Sequence, residues 1–216
     1  LNHFYTDSEG KQIENPRFLR KDETALKRAQ RQLSRKKKGS KNRVKARNRL
    51  GRKHLKVQRR RKDFAVKLAR CVVQSSDLIA MEDLKVRNMV RNHHLAKSIN
   101  DASWSIFRKW LEYFGQVFGV LVVAVPPDNT SQDCSKCGQR VKKSLSTRTH
   151  KCPDCGYVQD RDWNAAINIL KKALEILAKL DTDGQSGINV CGENDRCLSG
   201  VTHLSKLTRK SRKSRE

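Results

Sequence analysis

Acidic residues are few in this chain. Its 216 residues carry 22 Asp and Glu against 48 Lys and Arg, a formal charge of +26 at pH 7. An excess of one sign on that scale repels itself in the folded state, and a polyanion partner relieves the repulsion. Apolar residues are also scarce. They make up 36% of the chain, below the roughly 45–50% of an ordinary globular domain, so the core is modest. No apolar run approaches the ~18 residues that read as a membrane span, and no basic helix has a broad apolar face. A membrane partner is therefore the weaker reading. Nucleic acid is the stronger one, because each neutralised phosphate releases condensed counterions. There is no signal-peptide pattern.

A disulfide framework is missing as well. The seven cysteines are an odd number. Four fall into two Cys-x-x-Cys pairs, and Cys71, Cys191 and Cys197 are left over without an evident role. That pattern fits one metal site in a reducing cytosol, and not a secreted scaffold. The chain opens on Leu1 in what reads as the middle of a strand, so the reading expects a start upstream.

His3 to Asp7 and Lys11 to Glu14 flank a Ser8-Glu9-Gly10 turn, a β-hairpin signature, and Pro16 suits a helix start. Between Arg17 and Lys62 there are 22 Lys and Arg, and the only acids are Asp22 and Glu23. Leu19, Leu26 and Leu33 repeat at seven, as do Leu50, Val57, Phe64 and Cys71, with Lys36 to Ser40 between. This predicts two antiparallel helices over 17–71, joined by a basic turn along a thin apolar seam. Their outer faces would contact phosphates through Arg35, Lys36, Lys37, Lys38, Lys41, Arg43, Arg59, Arg60 and Arg61. A purely solvated charged face is the alternative. No spacing of amides or aromatics suggests base reading.

Leu78 to Met81 reads as a buried strand ended by Glu82 and Asp83. Val86 to Asn100 reads as a polar, irregular stretch, with His93 and His94 solvated in it. Asp101 to Phe118 carries a helical stripe of Trp104, Phe107, Leu111, Phe114 and Phe118 that belongs to the core, and Val120 to Val125 reads as a central strand. Asp162 to Leu180 is a last amphipathic helix. Residues 181–216 read as a disordered tail with a basic end.

Cys134, Cys137, Cys152 and Cys155 form C-x2-C-x14-C-x2-C. Four thiolates in two knuckles give closed tetrahedral coordination, so the expected ion is structural Zn²⁺ in a ribbon over 128–160. So short a segment buries little core, and the metal would supply its folding energy. His150 is a spare candidate, but four cysteines already complete the set. Asp160 and Asp162 flank the start of the last helix, where an acid is also an ordinary cap. A carboxylate at a strand end (Glu82) and one at a helix start (Asp162), in an α/β order beside a basic surface, suggest Mg²⁺ held against a phosphodiester.

At these residues the chain resembles the TnpB (OrfB) family of transposon-encoded proteins, which are similar to type V CRISPR effectors. The resemblance runs from Asn2 to Leu180. It rests on ENPRFLRK from Glu14, QLSRKKKGS from Gln32, IAMEDL from Ile79, the helix from Asn100 to Tyr113, the paired cysteines and DRDWNAAINIL from Asp160. It implies an RNase H-like (RuvC) fold interrupted by a zinc ribbon, with residues 1–127 as core and 161–180 as the final core helix. It also implies an RNA-guided, Mg²⁺-dependent DNA endonuclease whose partners are DNA and a guide RNA. By position Glu82 and Asp162 are the second and third catalytic carboxylates, with Asp160 and Asn164 in support. The family's first catalytic Asp falls before Leu1, so this chain by itself is expected not to cleave DNA. Two other readings remain: a nuclease-dead RNA- and DNA-binding protein, and a structural RNA-binding zinc-ribbon protein that would leave Glu82 and Asp162 without a purpose.

Overall fold

A computed structural model describes residues 2–144 and 146–183. The tail beyond 183, with Cys191, Cys197 and the basic end, lies outside the described residues. The element order is β1 (His3–Thr6), β2 (Gln12–Glu14), α1 (Phe18–Ser34), α2 (Lys41–Gln74), β3 (Leu78–Glu82), α3 (Val86–Met89), α4 (His93–Ala102), α5 (Trp104–Phe118), β4 (Leu121–Val125), β5 (Thr149–Lys151), β6 (Val158–Asp160) and α6 (Arg161–Asp183). The protein is α/β. No helix among the described residues is long and apolar enough to cross a membrane. The chain divides into two compact units, and α2 and α5 contribute residues to both.

The first unit holds residues 2–5, 12–71 and 85–110. Its hairpin β1–β2 places Phe4 in the core, edge-on to Phe64 and Phe107 at centroid distances of 5.2 and 5.1 Å. Trp104 donates its indole N–H to the Phe4 carbonyl at 3.0 Å. Helices α1 and α2 run antiparallel, as the pairings of Arg60 with Asp22 and of Arg43 with the Leu33 carbonyl require. Leu26, Ala29 and Val57 are buried along them. Cys71, predicted in that seam, is instead exposed. The buried stripe at this end of α2 moves to Ala65, Ala69 and Val73, one helical turn apart.

The stretch predicted as irregular is helical. The Asn92 side chain accepts from the His94 amide and caps α4, which buries Ile99, Asp101 and Ala102. His93 and His94 are exposed, as expected, but they lie in the first turn of α4 with ring centroids 4.0 Å apart. Asp101 belongs to α4, not to the start of the next helix. Ser103 breaks the chain with φ 57°, and α5 begins at Trp104.

The second unit holds residues 6–11, 72–84 and the chain from 111. Parallel strands β3 and β4 pair from Leu78 with Leu121 to Glu82 with Val125. The Asp83 amide adds one more bond, to the Val125 carbonyl at 2.8 Å. Apart from Glu82 at the end of β3, both strands are apolar, as strands covered on their faces are. Helix α6 lays Ala173 and Leu177 on Val123 and Val125, with Ile169, Ile176 and Leu180 around them. Among the described residues β4 pairs with β3 alone, so it is not flanked on both sides. Phe118, predicted in the core, is 41% exposed at the end of α5. Helix α6 continues to Asp183, three residues past the predicted tail boundary.

Candidate metal and nucleic-acid sites

The two cysteine pairs form matched knuckles. In each, a left-handed glycine follows the second cysteine, Gly138 at φ 80° and Gly156 at φ 69°, a conformation in which glycine has no Cβ clash. The Cys134 amide donates to the Gln139 carbonyl, and the Cys152 amide to the Tyr157 carbonyl, both at 2.9 Å. These turns bring the four sulfurs within 4.8 Å of one another. Cys134 Sγ lies 3.7 Å from Cys155 Sγ, and Cys137 Sγ 3.6 Å from Cys152 Sγ. A tetrahedral ion with ~2.3 Å metal–sulfur bonds needs sulfur separations of about 3.8 Å. The set is therefore able to hold a metal ion. Amide donors, that of Cys155 first, draw the Cys152 thiol down to about 7. His150 is fully buried but outside the four-sulfur group. Its Nδ1 meets the Lys143 ammonium, and its Nε2 has no partner among the described residues.

Glu82 ends β3 and Asp162 stands in the first turn of α6. Burial pushes the Glu82 carboxyl up, and the nearby Asp162 charge adds to the rise. The Thr130 hydroxyl and the Lys172 ammonium oppose it. Thr130 is buried and donates to Glu82 Oε1 at 2.5 Å. Asp162 faces two arginines: Arg161 donates to its Oδ1 from Nε at 3.1 Å and Nη2 at 3.0 Å, and Arg148 lies 3.7 Å from its Oδ2. Asp160 caps α6, accepting from the Asp162 and Trp163 amides at 2.9 and 3.1 Å. Among the described residues the cysteines are the only group of three or more potential ligands. Glu82 and Asp162 together offer two hard oxygen donors, which suit a hard divalent cation in kind.

Asn164 is fully buried, and its side chain is committed to the ribbon. It accepts from the Ser135 amide at 2.9 Å and donates to the Asp133 carbonyl at 2.8 Å. One turn along α6, Asn168 donates to the Thr130 and Asp133 carbonyls at 2.9 and 2.7 Å. A continuous set of bonds thus runs from Glu82 through Thr130 and Asn168 to the Cys134–Ser135 knuckle. Thr130 and Asn168 were not predicted. The i, i+4 repeat of Asn164 and Asn168 on a helix was the available signal.

The nine predicted phosphate contacts separate into two groups. Arg35, Lys36, Lys37, Lys38, Lys41 and Arg59 are exposed. Arg43 turns inward and donates to the Leu33 and Lys36 carbonyls, at 3.2 and 2.9 Å, closing the C-terminus of α1. Arg61 is bound to buried Asp101 through Nε at 3.1 Å and Nη2 at 2.8 Å. Arg60, though exposed, pairs with Asp22 at 2.9 Å.

These features define a basic α/β protein in which four cysteines able to hold a metal ion are linked by hydrogen bonds to the strand end that carries Glu82 and the helix start that carries Asp162. Residues 1–93 match the family model OrfB_IS605, described as a probable transposase. Residues 104–169 match the Cas12f1-like TNB domain. The chain is similar to the "Putative RNA-guided DNA endonuclease" of Streptomyces pristinaespiralis, 44% identical over 81% of this chain and 44% of that protein. It is also similar to the CRISPR-associated endodeoxyribonuclease Cas12f2 of a Micrarchaeota archaeon, 35% identical over 50% of this chain and 23% of that protein. It shares its fold, at a TM-score of 0.53 and 20% identity, with a solved chain of the Cas12f1-sgRNA-target DNA complex, over 74% of this chain and 43% of that one. Over most of its length the chain is similar to the TnpB/OrfB family of transposon-encoded proteins. It spans less than half the length of the curated relatives named here.

Proposed function

We propose that this chain carries the zinc ribbon and two of the catalytic carboxylates of a RuvC-type, RNA-guided DNA endonuclease that acts in transposition. The observation that supports the reading is that Asp162, in the first turn of α6, lies near enough to Glu82, at the end of β3, for its charge to add to the rise of the Glu82 carboxyl. Zinc is the ion proposed for Cys134, Cys137, Cys152 and Cys155, on the sulfur spacing and the closed donor set. Mg²⁺ is proposed at Glu82 and Asp162, where it would activate water and stabilise the leaving oxygen. Thr130 orients Glu82, and Arg161 and Arg148 orient Asp162 or turn to an incoming phosphate. Asp160 fixes the first turn of α6, and Asn164 and Asn168 keep the ribbon in register with that turn. An RNase H-like core agrees with the parallel β3–β4 pair capped by α6.

The test is guided cleavage. RNA that copurifies with the protein is sequenced, and DNA matching it is offered with Mg²⁺. Cutting that disappears in both Glu82→Ala and Asp162→Ala supports the reading, and cutting that survives either change overturns the assignment. A second reading is a nuclease-dead binder of RNA and DNA. RNA and DNA binding that is indifferent to Mg²⁺ and unchanged in Glu82→Ala and Asp162→Ala would favour that one.

A further inference from the structure

Between the C-terminal half of α1 and the N-terminal half of α2 lies an open cleft of about 860 Å³. Five cations line it: Arg35 and Lys36 from the end of α1, and Lys45, Arg49 and Arg52 from α2. The α2 cations fall at i, i+4 and i+7, so they share one helical face. Gln32, Asn42 and Asn48 add amides to the same cleft, and no acid lines it. None of the five cations has an ion-pair partner among the described residues. The one demand for positive charge within the protein here, at the carbonyls that end α1, is met by Arg43 from outside the lining. Five like charges converging on a concave space are mutually repulsive, and an external polyanion is what offsets that cost.

The geometry points to a cradle for one phosphodiester strand, with the cations on the phosphates and Gln32, Asn42 and Asn48 within reach of sugar or phosphate oxygens. From Asn42 to Arg52 the helix advances about 15 Å, the axial span of roughly four phosphates of one strand. Lys45, Arg49 and Arg52 are the residues added here. The expectation from sequence had stopped at the turn and at Arg59 to Arg61, because linear order does not show which helical faces meet. This inference rests on the reading of the chain as a nucleic-acid-acting protein and assigns that partner a seat.

The experiment measures binding of the zinc-loaded chain to labelled RNA and DNA, single-stranded and duplex, from about 50 to about 300 mM salt. The triple variant Lys45→Ala, Arg49→Ala, Arg52→Ala is compared with a control that removes the same charge outside the cleft: Lys85→Ala, Arg87→Ala, Lys109→Ala, all exposed positions. Alanine favours helix, so the cleft variant keeps α2, which circular dichroism verifies. For the tightest-bound nucleic acid, the cleft variant should bind at least tenfold more weakly near 100 mM salt. Its log–log salt slope should be shallower by about 2 to 3, at roughly 0.7–0.9 per lost phosphate contact. The control slope should change by less than about 1. Equal effects of the two triples would overturn the cradle and leave nucleic-acid binding in place. An unaltered chain that binds neither RNA nor DNA would overturn the cradle together with the function on which it rests.

Discussion

Glu82 carries a cost that a bound cation would remove. Its carboxyl lies above its ordinary value of 4.5 because it is buried and faces Asp162. The folded state therefore holds this proton more tightly than the unfolded chain does. The stability it contributes is full below about 4.5 and is lost as pH rises through the raised folded value. Glu82→Gln, neutral at every pH, should raise the melting temperature of the metal-free carboxylate site, and the gain should grow from about pH 5 to about pH 8. Excess Mg²⁺ should shrink the gain by stabilising the unaltered protein alone. A gain independent of pH would mean that ionisation of Glu82 is not what burial penalises. Asp101 is the second buried acid with a clear task. It accepts from the Leu19 amide at 2.9 Å, across 82 residues of sequence, and from Arg61. It thus takes the place of a local cap, since Arg17 at the N-cap of α1 makes no side-chain cap bond. Asp101→Ala should cost about 3–5 kcal/mol in denaturant unfolding, because it leaves Arg61 without its partner. Asp101→Asn should cost less, because its amide oxygen still caps α1.

At the scale of elements, the β1–β2 turn serves the start of α6. Gly10 takes φ +86°, and a Cβ there would meet Trp163 ring carbons at 2.8 Å. The Trp163 indole donates to the Ser8 carbonyl at 3.0 Å. The turn therefore clamps the residue next to Asp162. Gly10→Ala should destabilise the chain by about 1–3 kcal/mol and shift the Trp163 fluorescence, and an unchanged spectrum would show that no clamp exists. Elements with local signatures were legible in the sequence. The cysteine spacing announced the sulfur cluster, and the apolar run before Glu82 announced β3. Helix α4 was hidden because its outer face is polar and its buried face is only Ile99, Asp101 and Ala102. The heptad pattern revealed α1 and α2 but not that Arg43 and Arg61 turn inward, since each answers to a partner that the linear spacing does not display. Asn164 was read from the family as a helper of Asp162, while its side chain holds the cysteine knuckle.

At the scale of the molecule, a formal charge of +26 has to be reconciled with a folded chain. Part of that charge is used internally, by Arg43, Arg60 and Arg61. The rest, concentrated on the outer faces of α1 and α2, is available to a polyanion. The sulfur cluster and the Thr130–Asn168–Asn164 bonds tie ribbon, strand end and helix start into one piece, which is how a structural metal can hold a pair of carboxylates in place. The measurement that tests this account most directly is a Mn²⁺ titration of the zinc-loaded chain, followed by electron paramagnetic resonance. Mn²⁺ stands in for Mg²⁺ at a hard-oxygen site. The account predicts a bound ion that is lost in Glu82→Ala and equally in Asp162→Ala, with zinc content unchanged. Mn²⁺ binding that is the same in both variants as in the unaltered chain would contradict it.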